Sequence, residues 1–315
     1  MSNFLSNKPI LIIAGPTASG KSTLAVEAAK ALDGEIITAD SMQLYKYLDI
    51  GTAKPTVEEQ QGIPHHLINI LELSEGVDVY DYLDRAEKLI FDIQARGKLP
   101  IIAGGTGFYI KSLQYGLDNL PGDDNIREEL FTKYDNDKNF VELLAIMSEK
   151  CPKDAQKWAK HRRKLIRAYE VFLITGKSLI ELQTLQQPKL RYKSIMYTLR
   201  WDRAILRQRI FERTKIMLQE GWIEEGRKLI EEMDLFSTPT AHQVLGYKQI
   251  DSYLKGEIDL PHLEELIAIK TWQYARRQLT WFKKQHPEAI PLDMPIENKE
   301  EFFKNLAKDL QNLTN

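Results

Sequence analysis

Residues 15–22 read GPTASGKS, the spacing G-x-x-x-x-G-K-[ST] of a loop that holds phosphate groups. Gly15 and Gly20 admit backbone conformations closed to other residues, so consecutive N–H groups can turn onto an anion at the positive end of a helix. Lys21 adds a mobile cation, and Ser22 a hydroxyl for a phosphate-bound magnesium ion. The spacing leaves open whether the ligand is ATP, GTP or a smaller diphosphate. A second chemical group is Asp40, which closes the apolar run EIITAD. A carboxylate one strand over from a phosphate cradle is placed to take a proton from a nucleophile attacking the phosphorylated substrate; the alternative is an N-cap for the segment that follows. The run LPIIAGG ends in glycines and then Thr106. A nucleotide hydrolase commonly ends such a strand in an acidic residue for magnesium, and no N-K-x-D guanine-reading motif is present either.

These groups need elements to position them. The loop follows the apolar run PILIIA and precedes LAVEAAKAL, with Leu24, Ala25, Ala28 and Leu32 along one face, so a buried strand, a turn and a helix are expected. The first 117 residues continue to alternate: EIITAD as a strand, VYDYLDRAEKLIFDIQARG as an amphipathic helix, LPIIAGGTG as a strand. Such alternation predicts a mostly parallel sheet with helices on both faces and ligands beyond the carboxyl ends of the strands, so Asp40 and Gly104–Gly107 should face the loop. From LPGDDN to QQPKLRYK the pattern is helical only, with NIREELFTKYD, NFVELLAIMSE and RRKLIRAYEVFLITG as candidates. SIMYTLRW reads as a returning strand, followed by one long helix from about Arg203 to EGW. The expected organisation is an α/β core of residues 1–117 and 200–315 interrupted by a helical insertion at 118–199.

Composition sets the surroundings. A chain of 315 residues, 43% hydrophobic and 28% charged, is ordinary for a globular protein. Its one cysteine, Cys151, excludes an internal disulfide framework and a thiolate zinc cluster. The N-terminal apolar run is too short for a signal peptide and nothing later approaches a membrane span, so a reducing cytoplasm is expected, with no membrane partner. The net charge of −2 conceals basic runs: KWAKHRRKLIR with Lys157, Lys160, Arg162, Arg163, Lys164 and Arg167, then KLRYK, RWDRAILRQRIFERTK and YARRQLTWFKK. Each alone reads as a solvated helix face. Together, interleaved with Trp158, Tyr192, Trp201 and Trp281, they point to a basic groove for nucleic acid.

In this order, GPTASGKST, ADSMQLYKYLDIGTAKPT, PHHLINI, IIAGGTGFYI, RQRIFERTKIMLQEG, LGYKQI and YARRQLTWFK resemble the bacterial tRNA dimethylallyltransferases over about Lys8 to Lys283. The resemblance implies a P-loop NTPase-like core that transfers a dimethylallyl group from dimethylallyl diphosphate to the exocyclic N6 amine of the adenosine 3′ of the anticodon in tRNA. Matched residue by residue, it implies a diphosphate site at Gly15, Pro16, Thr17, Ala18, Ser19, Gly20, Lys21 and Ser22, with Mg2+ on Ser22. It also implies Asp40 as general base, Asp40, Ser41, Met42 and Gln43 as the acceptor-contacting stretch, a strand-end Thr106, and Arg213 on the leaving group. RNA contacts would fall on Arg127, Arg163, Lys164 and Arg167. KWAKH stands where many relatives carry an H-P-N-D-like turn, and nothing resembles the zinc-finger extension of eukaryotic relatives. The expectation is a monomer with no obligate protein partner. The residues alone also admit a P-loop small-molecule kinase, an adenine-nucleotide prenyltransferase or an RNA-binding P-loop ATPase switch.

Overall fold

The computed structural model describes residues 5–117, 120–185 and 189–314. The first part of the chain runs β1 (Ser6–Ala14), α1 (Lys21–Leu32), β2 (Gly34–Thr38), α2 (Val57–Gln60), β3 (His65–His66), α3 (Val79–Ala95), β4 (Leu99–Gly104) and α4 (Gly107–Tyr115). A helical stretch follows: α5 (Asp124–Tyr134), α6 (Asp137–Lys150), α7 (Pro152–Trp158), α8 (Arg162–Thr175) and α9 (Leu179–Leu185). The chain then returns through β5 (Tyr192–Arg200), α10 (Arg203–Gln219), α11 (Trp222–Glu231), α12 (Tyr247–Leu254), α13 (Leu260–Gln285), β6 (Ile290–Asp293) and α14 (Lys299–Thr314).

The α/β fold, with a parallel sheet carrying helices on both faces, is as the alternating sequence implies. Six strands pair in the order β3-β2-β4-β1-β5-β6, every pair parallel. Strand β1 is apolar without alternation from Ile10 to Ala14 because it is central and covered on both faces. Ile12 lies opposite Ile102 on one side and Met196 on the other. One face packs Leu24, Ala25 and Ala28 of α1 and Leu306 and Leu310 of α14 against Leu11, Ile13 and Leu199. Helices α3 and α4 pack together and against β4.

Strand β4 enters between β2 and β1, so the strand ends that follow the phosphate loop sit where the sheet order switches. A side chain at Gly104 would collide with the backbone of Ala39, and Thr106 N–H donates to Ala39 O at 3.0 Å. Only glycine lets the ends of β2 and β4 approach this closely, which brings Asp40 and Thr106 together.

Two compact units result. Residues up to Tyr115 and from Leu190 onward form the first, and Gly116–Lys189 the second. The expected insertion start at residue 118 lies outside the described residues, and the expected end at 199 is corrected: residues 192–199 are β5, bonded to β1 within the core sheet. The long helix expected from about Arg203 to EGW is α10, Arg203–Gln219, and Gly221, at φ +103°, separates it from α11. Helices α7 and α9 are additions to the three expected between 118 and 199. The second unit closes on Leu143, Met147, Leu165, Ile166 and Val171. Within it Asp154, fully buried, accepts the N–H groups of Leu179 (2.8 Å) and Ile180 (3.1 Å), capping α9 from α7. Among the described residues no helix is long and apolar enough to cross a membrane.

Candidate active site

The phosphate loop is held open by its surroundings. Gly15, Ala18 and Gly20 have φ of +154°, +61° and +90°, and Gly20 caps α1 without any side-chain acceptor on the helix N-terminus. The loop carbonyls are taken up one by one: Pro16 O accepts from Lys21 Nζ (2.8 Å), Ala18 O from Arg209 Nε (3.0 Å), and Ser19 O from Trp201 Nε1 (3.0 Å). Arg209 stacks on Trp201, 4.4 Å from its ring centre. Thr17 N–H donates to Gln278 Oε1 (2.9 Å), and Gln278 Nε2 donates to Gly105 O (2.9 Å), so one buried amide ties the loop to the end of β4. With the carbonyls engaged, the loop's remaining N–H groups and the helix end are left for an anion.

Three charges converge on this loop. Arg213 Nη2 donates to Thr17 Oγ1 at 2.9 Å. Burial pulls the Arg213 guanidinium down, opposed by Asp40. Burial pulls Lys21 to about 8, with Asp40 opposing and Arg213 reinforcing. Asp40 is pushed above the usual carboxylate range by burial, against the Met42 N–H it accepts at 3.1 Å and the nearby Lys21 and Arg213 charges. Two cations against one carboxylate leave a net positive site, and a carboxyl raised in this way is a stronger base once ionised. The Thr106 hydroxyl accepts Ser41 N–H at 3.0 Å, fixing the residue after Asp40. Gln43 Nε2 donates to Thr52 O (3.1 Å) and Ala53 O (3.3 Å).

A cavity of about 350 Å³ opens among Thr17, Lys21, Asp40, Gln43, Arg213 and Gln278, with Met42, Met217, Trp222 and Tyr274 as apolar wall. A second, of about 410 Å³, lies along Ala18–Thr23 and Arg209. The two share Lys21, Ser22, Ala53 and Arg213. Among the described residues no three His, Cys, Asp or Glu side chains group to hold a metal ion. The exposed Ser22 hydroxyl is therefore a fit for a cation carried in on a ligand's phosphate oxygens, not for a protein-caged one.

A sequence model of the IPP transferase family matches residues 43–285, which is most of the chain. The chain belongs to the IPP transferase family. It is 43% identical to the tRNA dimethylallyltransferase of Thermoanaerobacter sp. (strain X514), over 96% of this chain and 97% of that one. The crystal structure of the tRNA Δ(2)-isopentenylpyrophosphate transferase of Staphylococcus epidermidis superposes with a TM-score of 0.70 at 34% identity, covering 97% of this chain and 99% of that one. A eukaryotic dimethylallyltransferase acting on tRNA superposes at 0.82 and 27% identity, covering 97% of this chain and 80% of that one.

In this IPP transferase the core residues named from sequence come together: Gly15, Pro16, Thr17, Ala18, Ser19, Gly20, Lys21 and Ser22 form the loop, and Asp40, Ser41, Met42, Gln43, Thr106 and Arg213 border it. The second unit separates its four. Arg163 and Lys164 are exposed, and Lys164 lies 4.6 Å over the Trp158 ring. Arg127 and Arg167 instead close on Glu170, which is fully buried: Arg127 Nη2 at 3.0 Å, Arg167 Nη1 at 2.6 Å, with Asp123 N–H at 3.0 Å. Burial would raise Glu170, yet these donors outweigh it and hold its carboxyl below the usual range.

Of the aromatics read as part of a basic groove, Tyr192 is buried in β5 and Trp201 braces the phosphate loop. Sequence reasoning missed Gln278, Arg209 and Tyr274 as site residues. The signal for Gln278 was available: it is a polar residue on the apolar face that Leu263, Ile267, Ala275 and Phe282 define on α13.

Proposed function

We infer that this chain transfers a dimethylallyl group from dimethylallyl diphosphate to tRNA, at the exocyclic N6 amine of the adenosine 3′ of the anticodon. The observation that carries the reading is one cavity bringing together the phosphate loop, the cations Lys21, Arg213 and Arg277, and a carboxylate with a raised pKa beside an apolar wall. The related tRNA dimethylallyltransferases supply the substrate class.

The diphosphate rests on the loop amides with Lys21 and Arg213 on its oxygens. The adenine amine is a poor nucleophile because its lone pair is delocalised into the ring. Asp40 takes its proton as the N–C bond forms and the C–O bond to diphosphate breaks. Charge building on the leaving oxygens meets Lys21, Arg213 and the helix end, fixed beforehand by Gln278, Arg209 and Trp201. Mg2+, bound through Ser22 and the diphosphate, would supply further charge neutralisation there. Thr106 orients the Asp40–Ser41 turn.

The acceptor must leave its stack to reach this cavity, which costs roughly a few kcal/mol. The second unit, residues 116–189, would grip tRNA through Arg163 and Lys164 on the α8 start. Arg127 and Arg167, held by Glu170, would present only their remaining surface. We infer a cytoplasmic location for the reaction from its tRNA substrate.

The reading is tested by incubating the protein with dimethylallyl diphosphate and either tRNA or AMP, and separately with ATP and small acceptors. Prenylated adenosine in digested tRNA is the expected product. Prenylated AMP alone, or phosphate transfer from ATP, would replace the reading with a nucleotide prenyltransferase or a kinase.

A further inference from the structure

The two sides of the cavity are braced independently. On the diphosphate side, Gln278, Arg209 and Trp201 hold the loop at residues 16–20. On the acceptor side the wall is residues 51–53, and the segment leading into it is held by a carboxylate outside the cavity lining. Glu225, in the first turn of α11, accepts Asp49 N–H (3.0 Å) and Ile50 N–H (2.8 Å) on Oε2, and Gly51 N–H (3.0 Å) on Oε1. The Tyr247 hydroxyl also donates to Oε1. Burial and the adjacent Glu225 carboxylate hold that phenol far above its ordinary range, so it stays a donor.

Four donors on one carboxylate couple two stretches that line the cavity. One is 51–53; the other is 243–245, which leads directly into Tyr247 at the start of α12. Gly51 leaves no slack, since a Cβ there would strike Trp222 and Tyr247. From the other end the segment is pinned by Lys54, whose buried ammonium reaches Tyr45 O (2.7 Å), Asp49 Oδ1 (2.6 Å) and Asn69 Oδ1 (2.5 Å). The carbonyls of Thr52 and Ala53, so placed, take both N–H bonds from Gln43 Nε2 and turn the other end of that amide, its oxygen, away from them.

We propose that Glu225 is a positioning residue for the acceptor: through the backbone of 49–51 and the amide of Gln43 it sets the wall against which the incoming adenosine is aligned with Asp40. The proposal rests on the transfer reaction above. It assigns no role to Glu225 on the diphosphate, because none of its four bonds reaches the phosphate loop.

Steady-state prenyl transfer to tRNA and the affinity for inorganic pyrophosphate are measured for the wild type, Glu225→Ala, Glu225→Gln and Tyr247→Phe. Glu225→Ala should keep pyrophosphate affinity within about twofold while kcat/KM for tRNA falls by about tenfold or more, since three charge-assisted backbone bonds are lost. Glu225→Gln, equal in size with one acceptor oxygen left, should recover part of that loss. Tyr247→Phe, which leaves the three backbone bonds, should change kcat/KM by no more than about threefold. Parallel loss of pyrophosphate affinity and tRNA turnover would overturn the proposal in favour of a general structural role, and unchanged tRNA kinetics in Glu225→Ala would overturn it outright. A wild type that transfers nothing to tRNA would instead bring down the reaction itself, an outcome distinct from active wild type with indifferent variants.

Discussion

Arg213 and Arg167 both lie in helices dense with basic residues, and they meet opposite electrostatic fates. Arg213 in α10 reaches a threonine hydroxyl and lines, with Lys21, a cavity whose one carboxylate is Asp40, while Glu59 and Glu212 line the adjoining cavity. Arg167 in α8 is spent, with Arg127, on the buried Glu170. The first arrangement is a positive site awaiting an anion; the second is a completed ion cluster that closes a small helical unit. A basic run therefore says little about ligand binding until the acidic partners brought by the fold are counted.

The largest expected effect sharpens the core side of this comparison. Asp40→Asn keeps the shape and removes the base, so turnover should drop by roughly a hundredfold or more with pyrophosphate and tRNA binding nearly intact. Single-turnover rates beside equilibrium titrations check this; retained turnover would make Asp40 a cap for the 41–45 turn.

Next in size are Lys21→Ala and Arg213→Ala, each expected to slow transfer by roughly ten- to a hundredfold, because the charge they face is greatest in the transition state. The pH profile distinguishes them. For wild type, kcat/KM for dimethylallyl diphosphate should rise as Asp40 loses its proton, above the usual carboxylate range, and fall as Lys21 loses its own near 8. Arg213 depresses both groups. Its removal should move both limbs to higher pH, whereas removal of Lys21 should abolish the alkaline limb and move the acid limb upward. Limbs that stay in place would show that these three charges are not coupled.

Smaller effects probe the second unit. Arg127→Ala with Arg167→Ala leaves Glu170 buried without its cationic partners and should cost about 1–3 kcal/mol of stability, discounted for the partial exposure of both arginines. Thermal melting reads this. Arg163→Ala with Lys164→Ala should leave melting unchanged and flatten the salt dependence of tRNA affinity by up to about two units. The reverse pattern would exchange the roles of the two pairs.

How legible this was follows from what kind of signal each part leaves. The phosphate loop and sheet were readable because central parallel strands are unbroken apolar runs and the loop needs glycine at fixed positions. Asp40 and Thr106 followed, since strand ends in such a sheet face the ligand. The boundary at 199 failed because it was drawn after SIMYTLRW, although that run reads as a returning strand; its pairing of Met196 with Ile12 places it in the core sheet. Helical spacing already set Glu170 three residues from Arg167, but Arg127 lies 43 residues away, so only the packed unit reveals that bond. Arg209 and Trp201 were read as part of an RNA-facing basic run because composition cannot tell a helix face turned to a loop carbonyl from one turned to solvent.

The contrast between the two sets of cations is tested most directly by titrating inorganic pyrophosphate against wild type, Arg213→Ala and the Arg163→Ala, Lys164→Ala double variant. Arg213→Ala should bind about tenfold or more weakly, as expected for loss of a charged contact, and the double variant should match wild type. Equal affinity in all three would contradict the assignment of the core cavity as the diphosphate site.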